Sequence, residues 1–339
     1  MDTPIAEFET GLSAAVSLFL PGVRALSGLR ALSGGASQET WSFDVVCADC
    51  TVPLVLRRES PGAEERSRAN AGLENEAALM KLAAAQGIPV PTVRYVLRPE
   101  DGIGVGFIMG RIEGETIARK ILRDPQFDAV RPALARSCGE YLALIHRIAR
   151  HSLPPLRVES AEVAIEHYFK DYQRLSRPRP VFELAFRWVR GHTPADLAVP
   201  MLVHGDFRNG NLLIGVDGVR AVLDWELAHL GDPMEDLGWI CVNSWRFGNI
   251  DMPVGGFGRR EDLFAGYRVA GGGEVDLDRV RFWEIFGTLK WGVMCENMVA
   301  SFQSGADRSV ERAAIGRRVS ETEIDLLCLL APRKIDDVM

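Results

Sequence analysis

No apolar run in this chain reaches the roughly 18 residues that a membrane-spanning helix needs. The most apolar early stretch, Leu12 to Leu20, follows Asp2, Glu7 and Glu9, where a signal peptide would be basic. It is expected to be an amphipathic helix ended by Pro21-Gly22. Cysteine is scarce, six in 339 residues, which excludes a disulfide framework. Cys47-Ala-Asp-Cys50 has the spacing of half a zinc site. No second Cys or His pair lies at a suitable distance, so a hairpin turn is the simpler reading. Positive charge is in deficit: the net charge is −7 and the pI about 5.5. Lys and Arg form no stripe interleaved with aromatics, which argues against a nucleic-acid surface as the main business. Internal repeats and low-complexity tracts are absent. A cytoplasmic, reducing setting is expected, with no membrane and no nucleic acid among the partners; the oligomeric state is not readable.

What is present is an ordinary globular composition, 47% hydrophobic and 25% charged, long enough for one large or two moderate domains. The first third reads as strands around one inserted helix. Thr40 to Cys47 and Val52 to Arg58 alternate apolar and polar residues about a turn near Ala48-Asp49. Asn70 to Gln86 has helical periodicity, with Leu73, Ala77, Met80 and Ala84 on one stripe, and Gly87, Pro89 and Pro91 stop it. Val93 to Leu97 and Val105 to Met109 read as further strands. From Ala129 onward the chain is mostly helical, and Arg281 to Phe302 is a long apolar helix. Its Glu284, Lys290 and Glu296 make it a core helix rather than a membrane span. The spacing therefore predicts an α+β plan, a β-rich lobe over residues 1–112 and a larger α-helical lobe over residues 113–339, with the site between them.

The most informative segment runs from Leu202 to Trp239. Asn211-Leu-Leu-Ile-Gly215 and Val219-Arg-Ala-Val-Leu-Asp224 flank Asp217-Gly218, a strong two-residue hairpin signal. If those two residues form the turn, antiparallel pairing sets Asn211 opposite Asp224, two oxygen ligands within reach of one hard cation. Asp206 stands five residues before Asn211, in His204-Gly205-Asp206. Such a constellation suits a magnesium-bound phosphate and a hydroxyl to be activated.

The protein-kinase catalytic loop has the same Asp-to-Asn spacing, followed later by a magnesium-binding Asp. His204-Gly-Asp206-x-x-x-x-Asn211 and Asp224-Trp225-Glu226 resemble the motifs of the aminoglycoside phosphotransferase and choline kinase-like family. Asp224-Trp-Glu-x-Ala-x-x-Gly-Asp-Pro-x-x-Asp-Leu is similar to the kinase domains fused to some acyl-CoA dehydrogenases. The resemblance covers roughly Leu26 to Phe302 and implies a bilobal protein-kinase-like fold, with ATP and Mg2+ as cofactors. It implies Asp206 as the catalytic base or hydroxyl-orienting group, and Asn211 and Asp224 as metal ligands. His204 is expected to support the loop, and Asp236 to brace it from below. Asp232 before Pro233 reads as a helix cap.

On the nucleotide side, Gly34, Gly35 and Ser37 form a small turn that could cover phosphates with backbone N–H groups. The resemblance places a Lys at the position of Arg57; Arg departs from that pattern but can still grip phosphate oxygens. Glu76 falls on the apolar stripe of the inserted helix. An inward carboxylate needs a cationic partner, and Arg57 is the natural candidate. Adenine recognition by backbone near Met109 to Arg111 rests on the resemblance alone.

Only nine residues separate Asp224 from Met234, too few for the peptide platform of a protein kinase. A small-molecule hydroxyl acceptor is expected. The segments Glu166 to Trp188 and Trp245 to Trp291 mix acids with Lys170, Arg174, Arg246, Arg259, Arg260 and Lys290. That mixture suits an apolar or anionic acceptor better than a polycationic one, and the acyl-CoA dehydrogenase-linked branch suggests a hydroxyacyl compound. Two other readings stay open: a nucleotide- or metabolite-binding protein without turnover, and a metal-dependent phosphohydrolase. The latter would want more ligands, often with His.

Overall fold

A computed structural model describes residues 3–32, 38–60, 71–175, 177–306 and 309–331. The chain divides into two compact units. The first comprises Met1–Glu115, Ile148–Arg157 and Leu212–Ala228; the second comprises Thr116–Arg147, Val158–Asn211 and His229–Met339. The first unit thus draws on two segments from well beyond the boundary near residue 112 that composition suggested.

The first unit begins with helix α1 (Thr3–Ser17), followed by strands β1 (Ala25–Leu32), β2 (Gln38–Val46) and β3 (Thr51–Glu59). Helix α2 (Leu73–Ala85) and strands β4 (Val93–Val96) and β5 (Gly106–Gly110) complete an antiparallel sheet of order β1-β2-β3-β5-β4. Alternation builds its core. Phe43, Val45, Leu54 and Leu56 of β2 and β3 point to the face on which Phe8, Leu12 and Val16 of α1 pack. α1 overlaps the helix expected over Leu12 to Leu20 but begins at Thr3 and ends at Ser17, before Pro21-Gly22. β1 carries no readable strand signal, because Ala25-Leu-Ser-Gly-Leu-Arg-Ala-Leu32 neither alternates nor contains β-branched residues.

Arg57 and Arg58 lie at the end of β3 and point to opposite faces. Arg58 turns back over the Phe8 ring, 3.9 Å from its centroid, and onto Glu39. Arg57 faces α2, where Leu73, Glu76, Ala77 and Met80 are buried as the stripe predicted, while Ala83 rather than Ala84 completes the buried face. Further along the chain, the same unit contains the hairpin of β7 (Leu212–Gly215) and β8 (Gly218–Val222). The ladder pairs Leu212 with Val222 and Gly215 with Gly218, with a register shift after Leu213. The turn is therefore Val216-Asp217, one residue earlier than Asp217-Gly218. Register arithmetic about the wrong turn set Asn211 opposite Asp224, and the ladder does not support it. Gly218 takes φ 126° and closes the turn from the strand side.

The second unit holds α3 (Ala118–Arg123), α4 (Arg131–His146), α5 (Ala161–Gln173), α6 (Pro180–Gly191), the short strands β6 (Met201–Val203) and β9 (His229–Gly231), and α7 (Met234–Trp239). It continues with α8 (Arg260–Val269), α9 (Leu277–Ser304), α10 (Val310–Gly316) and α11 (Val319–Leu330). The long helix starts four residues earlier than its apolar stripe indicated, because the Asp276 carboxylate caps it by accepting N–H bonds from Asp278 and Arg279. α4 and α8 are pressed together through two glycines. A methyl group at Gly139 would fall on the Leu263 carbonyl, and one at Gly266 on that of Arg136. Among the described residues, no helix is long and apolar enough to cross a membrane.

Candidate active site

In the second unit the loop after β6 is fixed from beneath by one buried carboxylate. Asp236, on α7, accepts the N–H groups of His204 (2.8 Å) and Gly205 (3.0 Å) and lies 3.0 Å from His146 Nε2. His146 Nδ1 in turn meets the Tyr267 hydroxyl at 2.9 Å. Burial works to raise Asp236, but His146 and the loop N–H groups outweigh it and hold the carboxyl below its ordinary value. Gly205 takes φ 81°, a left-handed turn that a side chain would strain. His204 is fully buried, and its Nδ1 accepts the Asp206 N–H at 3.3 Å. The loop histidine is thus a support, as expected.

This platform presents Asp206 with three donors. Trp239 Nε1 (2.8 Å) and Arg208 Nε (3.0 Å) donate to Oδ1, and Asn211 Nδ2 (2.6 Å) donates to Oδ2. Asn211 Nδ2 also donates to the Asp206 carbonyl, which leaves the amide oxygen of Asn211 for a cation. Around the donors lies an aromatic and cationic wall. The Arg208 guanidinium lies 4.5 Å over the Trp245 ring, and Lys290 Nζ lies 4.9 Å from the centroid of Trp239. Lys290 is buried and pairs with Glu235 at 3.6 Å. Its burial favours the neutral amine, but Tyr168, Glu235 and neighbouring acids more than offset that and raise its pKa.

The first unit gathers a second constellation. Arg57 Nε lies 2.8 Å from Gln38 Oε1 and 3.4 Å from Glu76 Oε2, so the predicted Arg57–Glu76 pair forms. Arg57 Nη2 meets Asp224 Oδ1 at 2.7 Å and Glu226 at 3.5 Å. Burial lowers the Arg57 pKa, yet Glu76, Asp224 and Glu226 together raise it above its ordinary value. Burial pushes the Glu76 carboxyl up to about 7, with Asp224 acting in the same direction and Arg57 and Gln38 against it. Asp224 adopts φ 66°, one of two non-glycine residues with positive φ among those described. A short acidic side chain tolerates this conformation. Its Oδ2 has no recorded hydrogen-bond or ion-pair partner among the described residues, and Trp225 next to it is buried.

Met109 pairs with Val55 and Val93 inside the sheet. The N–H of Gly110 goes to Thr92, and that of Arg111 to Pro53. The Arg111 side chain bonds Ser42 and Asp44. The backbone donors of this stretch are therefore committed up to Arg111. Gly34, Gly35 and Ser37 lie outside the described residues. The cap position of α7 is Pro233 and not Asp232 as expected; Asp232 accepts a 3.0 Å bond from Met234 N–H just before the helix, and it also holds Arg279 and Trp283.

Three site residues escaped sequence reasoning: Gln38, Arg208 and Trp239; Lys290 was named only as one cation of the acceptor-lining segments, not as a neighbour of Asp206. Arg208 had a signal, a cation two residues after the catalytic-loop Asp. Trp239 had none, because its indole reaches Asp206 only through the turn of α7.

Asn211 and Asp224 each offer one hard oxygen. Among the described residues no group of three or more His, Cys, Asp or Glu side chains could hold a metal ion. Each taken by itself is a donor type that magnesium accepts, an ion that keeps waters and takes phosphate oxygens as well as protein ligands.

The sequence profile described as the Phosphotransferase enzyme family matches residues 28–282, and the chain belongs to that family. Acyl-CoA dehydrogenase family member 10 of Mus musculus is 32% identical over 200 residues. The match covers 56% of this chain and only 18% of the mouse protein, so the chain corresponds to a minor part of it. The solved structure of a Ralstonia eutropha JMP134 protein assigned to the aminoglycoside phosphotransferases aligns with TM-score 0.71 at 22% identity, covering 93% of this chain and 95% of that one. A thermostable mutant of aminoglycoside phosphotransferase APH(4)-Ia, in complex with AMP-PNP and hygromycin B, aligns with TM-score 0.61 at 17% identity over 96% of this chain and 100% of that one. The fold is the α+β protein-kinase-like fold of these proteins, and by family the chain belongs with the phosphotransferases.

Proposed function

We propose that the protein transfers the γ-phosphoryl group of ATP, as its magnesium complex, to a hydroxyl of a small organic molecule, and that the acceptor is a hydroxyacyl compound. The observation that carries this reading is the state of Asp206. Three donors hold its carboxylate in one orientation, and one of them, Asn211, keeps its amide oxygen for a cation. Phosphoryl transfer asks a protein mainly for positioning and charge neutralisation. Asp206 orients the acceptor hydroxyl and receives its proton. Arg57, steadied by Glu76 and Gln38, takes phosphate oxygens. Asn211 and Asp224 would hold magnesium, which neutralises phosphate charge when bound.

ATP as donor is supported by the AMP-PNP complex of the APH(4)-Ia relative. Adenine recognition is assigned to backbone near Met109 to Arg111, where the N–H groups of Gly110 and Arg111 already bond Thr92 and Pro53. A hydroxyacyl acceptor is supported by the likeness to an acyl-CoA dehydrogenase family member, and by Arg208 and Lys290 beside Asp206, which would repel a polycation.

The test incubates the protein with ATP-Mg and a panel of hydroxyacyl-CoAs, hydroxy acids, amino alcohols, sugars and aminoglycosides. Mass spectrometry then looks for one added phosphoryl group. The expected product is a phosphorylated hydroxyacyl compound. Phosphorylation of an aminoglycoside alone would overturn the acceptor assignment. Free phosphate without product would favour hydrolysis, and intact ATP throughout would favour binding without turnover.

A further inference from the structure

The second unit contains a cleft of about 830 Å³, a size that suits an organic ligand. Ile117, Arg119 and Arg123 line one side, the segment from Asn243 to Ile250 the floor, and Arg318, Ile324 and Asp325 the other side. Four features set it apart. Ile117, Ile250 and Ile324, among the most exposed large apolar side chains described, at 52%, 61% and 63%, all line this cleft. Arg119 and Arg123 sit four residues apart, on one helical face, and have no ion pair or hydrogen-bond partner among the described residues.

Ser244, 3% exposed, lines the cleft with a hydroxyl that has no hydrogen-bond partner among the described residues. A buried hydroxyl without a partner is costly unless a ligand supplies one. Phe247, also in the wall, has φ 48°, a rare conformation for a bulky residue and one that collects at ligand sites. The cleft is tied to the chemistry through the neighbour of Ser244. The Trp245 ring lies under Arg208 and 5.1 Å from Trp239, and both of those residues donate to Asp206.

We propose that this cleft is the outer part of the acceptor site and takes an aliphatic chain joined to a phosphate-bearing head. The chain lies along Ile117, Ile250 and Ile324, and the phosphates meet Arg119 and Arg123. Two guanidinium groups without partners among the described residues suit phosphate, for which arginine has matching geometry, better than a single carboxylate. This rests on the proposed transfer to a hydroxyacyl compound and specifies how such a compound is held.

Isothermal titration of the full chain with octanoyl-CoA, octanoyl-pantetheine and octanoate tests it, since none of the three has a hydroxyl on its chain. Octanoyl-pantetheine lacks the phosphates. We expect octanoyl-CoA to bind at least tenfold more tightly than the other two. An Arg119→Glu/Arg123→Glu double variant should lose that preference while its ATP affinity is unchanged; Arg187→Glu, in a different groove of the same unit, should keep it. Equal binding of octanoyl-CoA by the double variant, or no binding by the parent protein, would overturn the proposal. Phosphoryl transfer is scored separately with a 3-hydroxyoctanoyl-CoA substrate. Transfer with an unchanged KM in the double variant removes the cleft assignment and keeps the reaction. Cleft-dependent binding without transfer to any panel member keeps the cleft and removes the reaction.

Discussion

Replacing Trp239 by Phe isolates one hydrogen bond of the catalytic loop. The indole donates to Asp206 Oδ1 at 2.8 Å, while its ring packs 5.1 Å from Trp245 and under Lys290. Phe keeps an aromatic face in that wall and removes the donor. A hydrogen bond to a charged group contributes about 1.5–3 kcal/mol. If the bond holds Asp206 in the geometry that meets the acceptor hydroxyl, the turnover rate should fall about ten- to a hundredfold. ATP affinity should not change, because Trp239 belongs to the acceptor side of the chemistry. The smaller ring leaves a void in a site only 4% exposed, so some loss of stability, about 1–2 kcal/mol, accompanies the change. The assay is steady-state phosphoryl transfer at saturating ATP, with ATP affinity by calorimetry and a denaturation curve as the control for folding. A turnover rate within twofold of the parent, or a parallel loss of ATP affinity, would refute the reasoning.

Arg57→Ala should weaken ATP at least tenfold, whereas Arg58→Ala should leave ATP affinity within about twofold and cost about 1 kcal/mol of stability through Phe8 and Glu39. Calorimetric titration of both variants checks this, and the reverse order would contradict the facing of β3. Gly139→Ala should destabilise the second unit by about 1–3 kcal/mol, because α4 must move off α8 to clear the Leu263 carbonyl; urea denaturation measures it, and an unchanged midpoint would contradict the close approach. Glu76 titrates at about 7 in the folded chain, above the ordinary carboxylate range. Its raised pKa favours the fold fully below about pH 4.3, and this contribution is lost as the pH rises through about 7. Glu76→Gln should therefore flatten the decline in stability between pH 5 and 7.5, and an identical slope in both proteins would remove the assignment.

The sequence was most informative where local chemistry and periodicity coincided. The alternation in β2 and β3 and the stripe on α2 foretold all three elements and the meeting of Arg57 with Glu76, because an inward carboxylate on an apolar stripe has few ways to be satisfied. The spacing of His204-Gly-Asp206 and Asn211 marked this loop as the segment that resembles a phosphotransferase motif, and Asp236 braces it from below as that resemblance implies. What stayed hidden was long-range. β1 forms because β2 offers it an edge, so Ala25–Leu32 needs little pattern of its own. Trp239 and Lys290 join Asp206 from elements 33 and 84 residues away in sequence, a proximity that no local pattern records. The hairpin turn was misplaced by one residue because Asp-Gly was read as the turn itself. Gly218 instead flanks it, and a single-residue slip changes every cross-strand pairing.

The central claim is that Asp206 serves the transfer step and not nucleotide binding. Asp206→Asn keeps an oxygen to accept the Trp239 and Arg208 bonds but removes the charge that would take the acceptor proton. Measuring ATP-Mg affinity and phosphoryl transfer on the same preparation tests it directly. The account predicts parent-like ATP affinity with transfer reduced at least a hundredfold. Transfer at the parent rate, or loss of ATP binding equal to the loss of transfer, would contradict it.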